Sequence, residues 1–151
     1  MNIVWHYLDK RQAAINALKD FNNMAYIIED TGEDIADIHE KLETPRNSDV
    51  SGMPKVNNTK SSEERLVAGI DEIDVLKERY RQALEYMIWF KPAWNELSDD
   101  EKYILNMFFL TQYAKTEIVS DIGEKLCIER SQVYHRKDRA VEKLSLLLYG
   151  K

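Results

Sequence analysis

VSDIGEKLCIERSQVYHRKDRAVEKL, residues 119 to 144, places apolar side chains at Val119, Ile122, Leu126, Ile128, Val133, Ala140, Val141 and Leu144. Those spacings fit two short helices that meet across a tight turn, with small Gly123 where the helices must approach closely. The pattern is a helix-turn-helix. The second helix carries Arg130, Ser131, Gln132, Tyr134, His135, Arg136, Arg139 and Lys143 around a single inward Val133. Such a surface suits the major groove of double-stranded DNA. Arg130, Ser131, Tyr134 and His135 lie where side chains reach base edges, and the longer cations Arg136, Arg139 and Lys143 suit phosphates.

Immediately upstream, Leu97 is followed by Ser98, Asp99, Asp100 and Glu101. The spacing predicts a capping box: Ser98 accepts from the Glu101 amide, and the Glu101 side chain reaches back to the Ser98 amide. Leu97 and Lys102 occupy the flanking positions, so no hydrophobic staple accompanies it. Tyr103, Ile104, Met107, Phe108 and Leu110 make this helix heavily apolar, fit to pack behind the helix-turn-helix, and residues 112–116 form the connector. Downstream, Leu144, Leu146, Leu147 and Leu148 extend the apolar surface towards the C-terminus. Phe90 to Trp94, with Pro92 inside, reads as the hinge into this C-terminal domain.

The preceding residues carry two longer amphipathic patterns. Val4, Leu8, Ile15, Leu18, Phe21, Ala25 and Ile28 recur mostly at three-, four- and seven-residue intervals and predict a helix over 3–29. Asp30, Thr31 and Gly32 interrupt it, and Thr31 is placed to cap a resumed helix through Ile35, Ile38 and Leu42; one kinked rod and two separate helices both fit. Thr44 and Pro45 end the pattern, and residues 45–60, PRNSDVSGMPKVNNTK, read as a mobile connector. Ser61 or Ser62 then caps a second long helix with Glu63 and Glu64 in its first turn. Its stripe runs through Leu66, Ile70, Ile73, Leu76, Tyr80, Ala83, Leu84, Met87 and Ile88. The expected architecture is all-α: an N-terminal antiparallel helical hairpin over 1–92, with coiled-coil character, and a small helix-turn-helix domain over 93–151.

Composition sets the outer bounds. A chain of 151 residues that is 44% hydrophobic and 32% charged has room for one domain or two small ones. No apolar run approaches membrane-spanning length and the N-terminus lacks a signal-peptide pattern, so the expected location is cytoplasmic with no membrane partner. The net charge of −6 is unevenly distributed: residues 1–92 hold 12 basic against 17 acidic side chains, whereas 119–151 hold 7 against 5. A chain that is only locally basic neutralises few phosphates alone, which points to a homodimer through the N-terminal helices or to a larger complex.

Other chemistry is sparse. Cys127 reads as a small buried thiol at the turn, His6 and His39 as surface or half-buried side chains, and Trp5, Trp89 and Trp94 as core or interface anchors. The acid pairs at 63–64 and 99–100 fall at helix starts, where the dipole accounts for them. No phosphate loop, nucleophile triad, paired carboxylates or metal-ligand spacing stands out, so neither an enzyme nor a cofactor is expected.

Residues 97 to 148 resemble region 4 of bacterial sigma factors and, more closely, phage late-transcription regulators of the ArpU and RinA type. The resemblance is carried by Leu97, Glu101, Ile104, Leu105, Ile122, Gly123, Leu126, Ile128, Val133, Ala140 and Leu144. It implies a promoter-binding regulator of phage or prophage origin that touches RNA polymerase. By this likeness Arg130, Ser131, Tyr134 and His135 face bases, and Arg139 and Lys143 lie near the backbone. The sequence departs from the family at two places. Cys127 stands where glycine is common and must take up a glycine-favoured conformation, and Glu129 replaces the usual Ser or Thr cap. The competing expectation is a small terminase-like packaging protein, which also joins a helix-turn-helix to helical oligomerisation segments, or a helical protein–protein adaptor that uses the basic face against acidic protein.

Overall fold

The computed structural model describes residues 7–43 and 62–150; the connector expected near 45–60, with Trp5 and His6, lies outside them. Among the described residues there are five α-helices and no strand. They are α1 (Lys10–Glu43), α2 (Ser62–Asn95), α3 (Asp99–Leu105), α4 (Lys115–Leu126) and α5 (Arg130–Tyr149), with a π-helical segment, Asn106–Leu110, following α3. The fold is all-α. No helix among the described residues is long and apolar enough to cross a membrane.

Asp9 opens α1, its carboxylate accepting from the Gln12 amide at 3.1 Å. The helix then runs without a break to Glu43. The expected interruption at Asp30, Thr31 and Gly32 is absent, because α1 is held by its apolar register rather than by local propensity. Ala14, Ala17, Phe21, Met24, Ile28, Thr31, Ile35, Ile38 and Leu42 alternate three- and four-residue steps and are all buried or half-buried, the 3.5-residue repeat of a coiled-coil seam. Thr31 belongs to that seam instead of capping a helix: it is fully buried, and its hydroxyl has no hydrogen-bond partner.

The same alternation runs along α2 through Gly69, Ile73, Leu76, Tyr80, Ala83, Met87 and Phe90, all buried or half-buried. The expected hinge at Phe90–Trp94 lies inside α2, which continues through Pro92 to Asn95. Proline withholds one amide from the helix ladder, but Phe90 and Ala93 are buried on either side of it, and their packing keeps the helix continuous. Of the stripe expected on α2, Leu66, Ile70, Leu84 and Ile88 are exposed.

The chain forms two compact units, one from Met1–Met24 with Glu85–Lys151 and one from Ala25–Leu84; this division cuts through both long helices rather than falling at residue 92. In the first unit the early part of α1 pairs with the end of α2: the Tyr86 hydroxyl donates to the Ala17 carbonyl, and Phe21 lies 5.5 Å from Phe90 and 6.4 Å from Trp94 between ring centroids. In the second unit the late part of α1 pairs with the start of α2. There Arg65 donates to the Lys41 carbonyl at 2.9 Å, and Gly69 admits the Leu42 side chain so closely that a Cβ would lie 2.7 Å from it.

Two apolar clusters fill the first unit. Ala14, Ala17 and Leu18 of α1 pack with Phe90, Ala93, Leu97, Leu105, Ala140, Val141 and Leu144. Ile104 packs with Ile118, Val119, Ile122 and Val133, and Tyr103, Met107, Phe108, Leu126, Ile128 and Tyr134 border them. The expected capping box is present, with Glu101 N donating to Ser98 Oγ at 3.2 Å and Ser98 N donating to the Glu101 carboxylate at 2.8 Å. Leu144 is buried and Leu148 half-buried, whereas Leu146 and Leu147 are exposed, because the last turns of α5 turn those two away from the cluster.

Candidate nucleic-acid interface

The turn between α4 and α5 positions the candidate surface. Cys127 ends α4 at φ 53° and ψ 46°, and it is the one non-glycine residue with positive φ among the described residues. This is the left-handed conformation that a glycine would reach with less strain. The Ile128 amide donates to the Gly123 carbonyl at 3.1 Å, the six-to-one bond that closes a helix end of this kind, and half-buried Ile128 anchors the turn in the second cluster. Gly123 is favoured for a matching reason. A Cβ there would lie 3.1 Å from the Ile128 carbonyl oxygen, and that neighbour is backbone.

The Cys127 thiol is exposed, not buried as expected. A residue in left-handed conformation at a helix end directs its side chain away from the core, and here Sγ reaches only the Glu124 carbonyl at 3.7 Å. Glu129 precedes α5 in extended conformation without a side-chain cap bond. The first amides of α5 therefore have no side-chain acceptor from within the turn, an arrangement compatible with phosphate.

Along α5, Ser131, Gln132, His135 and Arg139 are exposed on the side away from fully buried Val133 and Ala140, Arg136 is exposed on the flank of that buried stripe, and Arg130 is exposed at the leading end. No ion pair among the described residues engages Arg130, Arg136 or Arg139. Beside them a shallow groove is lined by Thr116, Val119, Ser120, Gly123, Glu124, Ile128 and Arg130. These arginines are thus presented on a helix without a partner carboxylate among the described residues.

Two expected site residues have structural partners. Tyr134 is half-buried, its ring 6.1 Å from that of Phe108, so Val133 is not the sole inward anchor of the first turns. Lys143 donates to Glu101 at 3.0 Å, tying α5 to the α3 cap. Burial opposes ionisation of Glu101, but the Ser98 amide and then the Lys143 ammonium outweigh it and hold the carboxyl below its ordinary value.

Two further cations border this surface. Lys137, half-buried, sets its ammonium 5.3 Å from the Phe108 ring centre and 5.5 Å from that of Tyr134, and 3.4 Å from Asp138. Arg11 of α1 approaches Asp138 at 4.0 Å. Both restrain the one acid on the leading half of α5. Lys137, four residues after Val133, could have been placed beside the buried stripe from the helical period, but nothing local in the sequence announces Arg11. His39 is exposed, and Lys125 stacks over the Tyr103 ring at 3.7 Å. The described residues contain no cluster of His, Cys, Asp or Glu able to hold a metal ion. Compared with family models, characterised proteins and solved structures, the chain matches none of them.

Proposed function

We propose that the chain is a sequence-specific, double-stranded-DNA-binding transcription regulator of phage or prophage origin, working in the cytoplasm as a homodimer through its long helices and touching RNA polymerase. The observation that carries the reading is that Arg130, His135, Arg136 and Arg139 are exposed along the first half of α5, the three arginines in no ion pair among the described residues, next to a tight turn that leaves the start of the helix without a side-chain cap. In a major groove, Arg130, Ser131, Gln132 and His135 address base edges, while Arg136 and Arg139 address phosphates. Tyr134 contributes its hydroxyl edge and keeps its ring on Phe108. Lys143, bound to Glu101, orients α5 and reaches the backbone only by exchanging that partner.

The test is selection of DNA fragments from a random pool by the purified protein at low salt, followed by sequencing. A recurrent motif is the expected result. Retention without a motif would limit the surface to non-specific binding, and no retention would overturn the reading.

A further inference from the structure

The start of α1 lies beside α5. Ala14 and Leu18 of α1 pack into one cluster with Ala140, Val141 and Leu144 of α5. One step earlier in the same three- and four-residue register stands Arg11, whose guanidinium lies 4.0 Å from the Asp138 carboxylate, each side chain 56% exposed. Residues two apart on a helix are separated by about 200°. Asp138 and Arg136 therefore occupy opposite flanks of α5, with His135 and Arg139 exposed on the arc between them. The Arg136 flank also carries Lys143, whereas on the other flank α5 supplies the exposed acids Asp138 and Glu142. Arg11 is an exposed cation that another helix brings to that acidic flank.

We propose that Arg11 contacts a DNA phosphate, so that α1 supplies the contact on one side of the major groove and Arg136 of α5 the contact on the other. The proposal deepens the DNA-binding reading above and rests on it. A helix with its side chains is roughly 10–12 Å across and the major groove about 12 Å wide, so each flank of an inserted helix meets one of the two backbones that bound the groove. On the Arg136 flank that backbone meets cations. On the other flank, Asp138 and Glu142 by themselves would repel it. At 4.0 Å the approach of Arg11 to Asp138 is an ion pair without a hydrogen bond, which leaves the guanidinium's donors for phosphate oxygens. Its neighbour Asp9 is turned to the Gln12 amide. Lys137, half-buried against the Phe108 ring and 3.4 Å from Asp138, balances the same carboxylate from within α5. Buried Ala14 and Leu18 fix the first turns of α1, so packing holds Arg11 in place.

Affinities of the full chain for two unrelated duplexes across a salt series test the proposal. Arg11→Ala is expected to weaken binding to both duplexes by the same factor and to lower the salt slope by about 1, and Arg11→Lys to retain the slope. Helicity by circular dichroism is expected to match the native chain in both variants, since the site is exposed. Asp138→Asn removes a charge that faces the backbone and is expected to tighten binding to both duplexes, with Arg11→Ala lowering the slope by the same amount in that background. An unchanged slope in Arg11→Ala overturns the proposal. So does a loss that vanishes in the Asp138→Asn background, because Arg11 would then serve only as counterion to the carboxylate. Arg139→Ala, measured in parallel, separates this contact from the groove reading. A slope lowered by Arg139→Ala and not by Arg11→Ala removes the α1 contact alone, whereas a native protein that retains neither duplex at low salt overturns the reading and the contact together.

Discussion

The two units of the chain close their interiors in different ways. In Ala25–Leu84, two helices share one narrow seam whose buried positions are Thr31, Gly69, Ile73 and Ala83, most of its other members being half-exposed. In the other unit, α3, α4 and α5 meet the ends of the long helices around two clusters with fully buried Leu105, Ile122, Val133 and Leu144. A two-helix seam leaves the outer half of each helix in water, whereas three or more crossing helices enclose side chains completely. The closed unit presents α5 rigidly. The open one leaves Leu66, Val67 and Ile70 exposed.

Core truncations test that contrast most strongly. Ile122→Ala should destabilise the protein by about 3–4 kcal/mol in denaturant titration, since it empties a fully enclosed site. Ile73→Ala should cost nearer 2 kcal/mol, because solvent and neighbours along an open seam relax into the gap. Equal losses would break the comparison. Next in size, Gly123→Ala should cost roughly 1–3 kcal/mol, as its methyl presses on the Ile128 carbonyl. A thermal midpoint equal to the native one would mean that the turn has slack.

Thr31→Val should act in the opposite direction. Replacing a buried hydroxyl that lacks a partner with a methyl group should stabilise the chain by about 1 kcal/mol. Hydrogen exchange should report the gain in 25–84, sharpening the division between units; destabilisation would mean that the hydroxyl is satisfied. Smallest of all, Glu101→Gln should cost at most about 1 kcal/mol, the carboxylate being partly exposed. The effect should depend on pH. The folded carboxyl is held below its ordinary value, so its contribution is complete above the unfolded carboxylate pKa and disappears as pH falls through the folded one. Native and variant stabilities should therefore converge on acidification, and a constant gap would contradict the assignment.

What could be read from the sequence follows the range of the interaction. The Ser98–Glu101 box is a contact between residues three apart, and it formed as spaced. Gly123 declared the tight turn by its small size, whereas the left-handed residue at Cys127 was implied only by the likeness to a family in which glycine is common there. Long-range packing overrode local signals elsewhere. Thr31 and Gly32 resemble a break until the seam register claims Thr31, and Pro92 resembles a stop until Phe90 and Ala93 are seen buried beside it. For α5, spacing placed Ser131, Gln132, His135, Arg136 and Arg139 outside. It could not reveal that Phe108 would take the Tyr134 ring, that Glu101 would hold Lys143, or that Arg11 would approach Asp138 from the far end of the chain.

The central claim is that α5 reads DNA, and the most direct measurement compares affinities of single variants for a selected site and for unrelated duplex across a salt series. Arg130→Ala and His135→Ala should each reduce the preference for the selected site, by about 1–3 kcal/mol for a bidentate base contact. Arg139→Ala should weaken binding to both duplexes alike and lower the salt slope by about 1. Unchanged affinity, preference and slope in all three variants would contradict groove insertion by α5.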